Sequence, residues 1–212
     1  MKKLLVICVS LLVATASLFA AGGKEREMTI FGGYQGNFYN YENVLLNFDG
    51  VQILTDGQES YQGVALGFEM REMSGDMIGS NVSLALNIPL SVALKYETLR
   101  TKVPLDRDDF ESLFGIELFA GLLIRPIRTN KIALNITPGI HMGLVVPKIT
   151  ENSTMYLSYG LGADVSVDFA LTKNIFMTAG VTASFDLLPI TQGIKDAKIF
   201  AVTPKLGVGF QI

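Results

Sequence analysis

Eight side chains of this 212-residue sequence could do chemistry from one shared surface: Glu69, Arg71, Glu117, Arg125, His141, Asp164, Asp168 and Lys205. Four carboxylates, three fixed cations and one imidazole are the ingredients of an ion-pair network, a proton or ion path, or general acid–base work. Each lies in a stretch where alternate residues are apolar, and each falls on the other parity. Enclosed in a fold, such charges must pair, because an isolated buried charge costs several kcal/mol. A paired network is therefore expected. His141 shares its parity with Ser, Asp and Glu residues, but no spacing selects a nucleophile or an orienting acid, so no enzyme is expected. No metal site is expected either. There is no His-Glu-x-x-His, and Asp106, Asp108, Asp109 and Glu111 lack the glycine and spacing of a calcium loop. Gly160/Gly162 and Gly207/Gly209 fall in extended stretches, not at a strand-to-helix turn, so no phosphate-binding loop and no cofactor is implied.

Positioning these residues requires strands, because strand side chains alternate between two faces. In 198–212 one parity holds Phe200, Val202, Pro204, Leu206, Val208, Phe210 and Ile212, and the other Ala201, Thr203, Lys205, Gly207, Gly209 and Gln211. The same split recurs in 28–38, 62–72, 78–88, 113–125, 132–144, 157–171 and 175–187, which makes eight strands. Short connections at 74–77, 126–130 and 172–174 alternate with longer ones at 39–61, 89–110, 146–156 and 188–198. An even strand number, with short turns on one side and long loops on the other, is the layout of a transmembrane up-and-down barrel.

The polar parity decides which face meets water. A soluble barrel would carry many Lys, Glu, Gln and Arg on it; here it is mostly Gly, Ala, Ser, Thr and Asn, which suit a narrow interior. The apolar parity is then the lipid face. Tyr34, Phe38, Tyr61, Tyr159, Phe185, Phe200 and Phe210 are expected to form its interfacial girdles. Pro138 and Pro204 lie on regular strands, where a missing amide donor weakens a ladder.

Composition agrees. The chain is 49% hydrophobic with 17% charged residues, net charge −3, and a mean hydropathy of +0.38. It is too apolar for a disordered chain and too acidic, at a pI of 5.2, for a nucleic-acid binder. Its one cysteine, Cys8, cannot form an internal disulfide. Residues 1–20 read as a cleaved signal peptide: basic Lys2-Lys3, an apolar run from Leu4, then small residues, with the cut after Ala20 or Ala21. Cleavage removes Cys8 and leaves 21–212 as one barrel domain with 15 basic and 20 acidic residues.

In the first long connection, Val44–Phe48 and Val51–Thr55 flank Asp49-Gly50, a type I′ hairpin signal. The arms are too short to cross a bilayer, so the hairpin extends the wall outside the membrane. Tyr39, Tyr41, Phe48 and Ile53 are its candidate contact residues for a surface partner.

Carried by this alternation and by pieces such as Gly63-Val64-Ala65-Leu66-Gly67-Phe68-Glu69 and Lys205-Leu206-Gly207-Val208-Gly209-Phe210, residues 28–212 resemble the small eight-stranded outer-membrane barrels of the OmpA/OmpX/OmpW kind. The look is nearest to uncharacterised spirochaetal (treponemal-type) members. The resemblance implies location in the bacterial outer membrane, with membrane lipid and the assembly machinery as partners. The aromatic usually read at the last residue stands two places early, at Phe210. The expected role is structural or surface-interacting, with a lumen plugged by the charged network. The alternatives are an OmpW-like conduit for small hydrophobic molecules or ions, and a soluble periplasmic lipocalin-like barrel.

Overall fold

A computed structural model describes residues 25–48, 51–96, 102–105, 112–149, 152–153, 156–186 and 197–212. The expected signal peptide, the Asp49-Gly50 turn and the acidic run 106–111 lie outside the described residues. Eight long strands form the wall: β1 (Glu25–Phe48), β2 (Val51–Met73), β3 (Ile78–Tyr96), β5 (Ser112–Arg128), β6 (Ile132–Ile149), β8 (Tyr156–Ala170), β9 (Ile175–Asp186) and β10 (Ala197–Gln211). Two short strands, β4 (Lys102–Leu105) and β7 (Asn152–Ser153), pair with β3 and β6 at the long-loop end. Each long strand pairs antiparallel with its chain neighbour, and β1 also pairs β10 (Met28↔Phe210, Phe38↔Phe200), so the sheet closes without a free edge along the barrel.

Two of the short turns close by the same device. Thr129 Oγ1 accepts from Ile132 N at 2.9 Å, and Thr172 Oγ1 accepts from Ile175 N at 3.1 Å. A threonine hydroxyl there takes up an amide that the ladder leaves free.

The polarity of the wall is inverted relative to a water-soluble protein. Ile30, Leu66, Leu86, Leu122, Leu161, Leu206 and Val208 are exposed on the outside, whereas Glu27, Glu69, Arg71, Asn81, Arg125, Asn135, Asp164 and Lys205 are buried inside. A lipocalin-like barrel needs the reverse, an apolar cavity under a polar skin, so the soluble alternative is overturned. Tyr34, Phe114, Phe185 and Phe200 face outward toward the long-loop end, and Phe169 and Phe210 toward the short-turn end. Tyr61 does not join them. It is 2% exposed and points inward, as its shared parity with Gly63 and Ala65 requires.

In the first connection the expected pairing of 44–48 with 51–55 is present and reaches further than expected: residues 39–48 and 51–61 continue β1 and β2, paired from Tyr39↔Glu59 to Phe48↔Val51 with a register shift between Tyr41 and Val44. Similarly, β3 runs on to Tyr96. The pattern hides this because, past the apolar belt, outward positions such as Asn40 and Gln58 turn polar while the backbone ladder continues. Besides register shifts of this kind, pairing lapses across two prolines: between Gly33↔Lys205 and Gly36↔Val202, across Pro204, and between Gly121↔Gly139 and Ile124↔Ile136, across Pro138. Both prolines lack the amide that the neighbouring strand would accept from.

Gly63 sits where β2 and β3 shift register between Gln62 and Gly63. A Cβ there would lie 2.1 Å from Ile88 O and 2.6 Å from Pro89 Cα, both backbone atoms that cannot swing aside. Gly63→Ala is expected to cost about 1–3 kcal/mol, the usual range for overpacking. Its urea midpoint in detergent should fall, whereas Gly75→Ala, in the turn with open space around it, should leave the midpoint nearly unchanged.

Candidate functional site in the barrel interior

The interior polar residues gather into two groups. In the half nearer the short turns, Arg71 is the hub. Its Nη1 donates to Asp168 Oδ2 at 2.7 Å, its Nη2 to Ser166 Oγ at 3.0 Å, and its Nε to Glu69. Lys205 Nζ bridges Glu69 Oε2 at 2.7 Å and Asp164 Oδ2 at 2.6 Å, and stands 5.0 Å from the centre of the Phe31 ring. Arg125 forks onto both oxygens of Glu27, at 2.9 and 2.7 Å, and donates its Nε to Asn135 Oδ1 at 2.7 Å. Asn135 Nδ2 returns to Asp168 Oδ2 at 2.7 Å, Asn81 Nδ2 donates to Glu69 Oε1 at 3.0 Å, and Thr182 Oγ1 donates to Asp164 Oδ2 at 2.5 Å.

Every one of the eight long strands contributes to this web. Its carboxylates are Glu27, Glu69, Asp164 and Asp168, and its cations Arg71, Arg125 and Lys205, so charge nearly cancels. Charge-assisted and bidentate bonds are the strong kind, and here they link strands that are not neighbours in the sheet, such as β2 to β8 and β1 to β5. They brace the lumen from wall to wall.

Nearer the long-loop end lies a second, smaller group. His141 Nδ1 is 3.0 Å from Asp186 Oδ1, Ser158 Oγ donates to Asp186 Oδ2 at 2.5 Å, and His141 Nε2 faces Glu117 Oε2 at 3.7 Å. Gln35 Nε2 donates to Glu117 Oε1 and, at 3.0 Å, to Asn37 Oδ1. Phe119 reaches from β5 across to β8, where a Cβ on Gly162 would be 3.1 Å from its ring. A chamber of about 10 Å³, room for one water, is lined by Gln35, Asn37, Tyr61 and Asn87 among others. Ser158 is bonded to the carboxylate and not to the imidazole, so the order of a nucleophile–base–acid relay is broken.

Of the residues singled out from sequence, Glu69, Arg71, Arg125, Asp164, Asp168 and Lys205 meet in the larger web, and Glu117 and His141 in the smaller. Glu27 and Asp186 are equal members that sequence reasoning did not select. Glu27 lies one residue ahead of the first recognised strand, but its parity with Thr29 marks it as inward. Asp186 shares the inward parity of Ser184 and Thr178. Among the surface candidates, Tyr39 is 4% exposed and packs edge-on against Tyr61, with centroids 5.5 Å apart, inside the barrel. It is unavailable to an outside partner. The side chains of Tyr41, Phe48 and Ile53 lie outside the described ones, although their backbones are in the extended hairpin.

No protein-family model and no curated protein matches the chain. Among solved structures, the outer membrane protein OprG from Pseudomonas aeruginosa is similar over 90% of this chain and 98% of its own, at 16% identity and a TM-score of 0.56. Neisserial surface protein A is similar over 86% and 96%, at 10% identity and a TM-score of 0.53. At such identities the likeness is one of fold: this is an all-antiparallel eight-stranded barrel of the outer-membrane type. It gives no support to a spirochaetal affinity.

Proposed function

We propose that this chain sits in the bacterial outer membrane as a closed barrel, with a structural and surface-interacting role and no enzymatic one. The observation that carries the proposal is the web of Arg71, Arg125 and Lys205, which joins all eight long strands across the lumen and fills with paired charge the space a pore would need. The exposed apolar exterior supports the location, since in water it would be an unbroken hydrophobic surface. Assembly through the usual machinery fits Phe210, which faces outward on the last strand. At the other end the β1–β2 hairpin, with its backbone ladder intact to Phe48↔Val51, is the segment we assign to a surface partner.

The test is conductance. Mature protein from about Ala21, refolded in detergent and added to a planar bilayer, is expected to insert without steady ionic current. A reproducible single-channel current in the wild type would overturn the closed-lumen reading.

A second reading, a conduit for small hydrophobic molecules, draws on two observations. The ladder gaps at Pro138 and Pro204 lie on opposite sides of the ring, and Tyr39, Tyr61, Val92, Leu113, Val145 and Ile199 turn a buried apolar collar inward near the long-loop end. Faster entry of a small apolar dye into proteoliposomes than into empty vesicles would favour it.

A further inference from the structure

We propose that the smaller interior group is a binding site for one divalent transition-metal ion, held between His141 Nε2 and Glu117. The idea does not depend on whether the lumen conducts.

His141 is presented as metal-binding histidines are. One ring nitrogen, Nδ1, is held by the Asp186 carboxylate, which is itself fixed by the Ser158 hydroxyl. That is the outer support that orients a ligating imidazole and makes it a better donor. The other nitrogen, Nε2, is buried and has no hydrogen-bond partner, an expensive condition for a polar atom in a residue only 2% exposed. It faces Glu117 Oε2 at 3.7 Å, within ion-pair reach when the ring is protonated but too far for a hydrogen bond. Two ligands of a tetrahedral ion with bonds of about 2.0–2.2 Å stand about 3.3–3.6 Å apart, so an ion fits the gap with little movement.

Glu117 is oriented in the same manner. Its Oε1 accepts from Gln35 Nε2, and Gln35 Oε1 is a further buried oxygen without a partner. Two carboxylates surround the one imidazole, so the local charge favours a cation. The Glu117 side chain is 13% exposed against 3% for His141, which makes the Glu117 side the approach. Among the described residues no three His, Cys, Asp or Glu side chains converge on one point. This is accordingly an open site with two protein ligands and the remaining positions for water, unlike a closed structural centre. A nitrogen–oxygen pair suits Zn²⁺, Cu²⁺ or Ni²⁺ better than Ca²⁺ or Mg²⁺.

His141 is the only histidine in the sequence, which makes the test clean. Tag-free mature protein refolded in detergent should take up one Cu²⁺ per chain, with an imidazole-nitrogen coupling in its electron paramagnetic resonance spectrum, and Cu²⁺ should displace Zn²⁺ bound beforehand, as the order of divalent affinities requires. His141→Gln should abolish that coupling. Asp186→Asn, which acts through the ring's orientation, should weaken binding by about 10–100-fold. Heat-modifiable gel migration checks that each variant folds. In [¹⁵N]histidine spectra of the wild type, which need no variant, Zn²⁺ should shift the Nε2 resonance. Absence of one-to-one binding, a nitrogen coupling unchanged in His141→Gln, or histidine resonances unmoved by saturating Zn²⁺ would each overturn the assignment.

Discussion

Arg71→Met is expected to be the most damaging single change to the barrel, at about 3–5 kcal/mol, the usual cost of removing one partner from a buried ion pair. Arg71 is 1% exposed and holds Glu69, Asp168 and Ser166 together. Methionine fills much of the same volume, so the loss is one of charge and hydrogen bonds rather than of packing. Lys205 still neutralises Glu69, but Asp168 keeps only Asn135 as a close donor, with Arg125 at 3.9 Å. Guanidinium unfolding of the refolded protein, followed by circular dichroism, should show the drop. Arg71→Met combined with Asp168→Asn should recover much of it, because no buried carboxylate is then stranded. If Arg71→Met changed stability by less than about 0.5 kcal/mol, within the range of surface substitutions, the web would not be what braces the barrel.

Leu206→Arg is the second large effect and tests the sidedness of the wall directly. Leu206 is 66% exposed on β10, flanked across the ladder by Gly32 and Ala179, and lies between the outward aromatics Phe200 and Phe210. At so open a site no side chain blocks the arginine. In a water-facing barrel the change would fall within about ±0.5 kcal/mol. Facing hydrocarbon, it should cost about 2–4 kcal/mol near mid-depth. Equilibrium unfolding from lipid vesicles reads the difference, with Asp76→Arg in the exposed 74–77 turn as the near-neutral control. A neutral Leu206→Arg in lipid would mean that the outer face does not meet hydrocarbon.

The stability of such a barrel therefore rests on two contrasting surfaces, and the sequence shows both in its parity. Lys205 lies between Pro204 and Leu206, and Asp168 between Val167 and Phe169; in an antiparallel wall these positions cannot share a face with their neighbours. Side-chain type misleads where it disagrees with parity. Tyr61 groups by type with the outer aromatics, but Gly63 and Ala65 on the same parity place it inside. Tyr39 falls in the first long connection, but it shares parity with Asn37 and Gln35. Element ends were harder to see, because apolar alternation reports contact with lipid and stops where the strand leaves it. The hydrogen-bonded ladder of β1 and β2 continues well past that level.

The number of long strands, the short-turn and long-loop ends, and the inward parity are legible in the chain, because they follow from a local period of two and from turn chemistry. Which inward residue meets which is settled by the closed fold. Arg71 meeting Asp168, 97 positions away, and His141 meeting Asp186 rather than a nearer carboxylate depend on how far each strand slides past its neighbour before the ring closes. That stagger is a property of the closed sheet as a whole, and no local pattern in the chain encodes it.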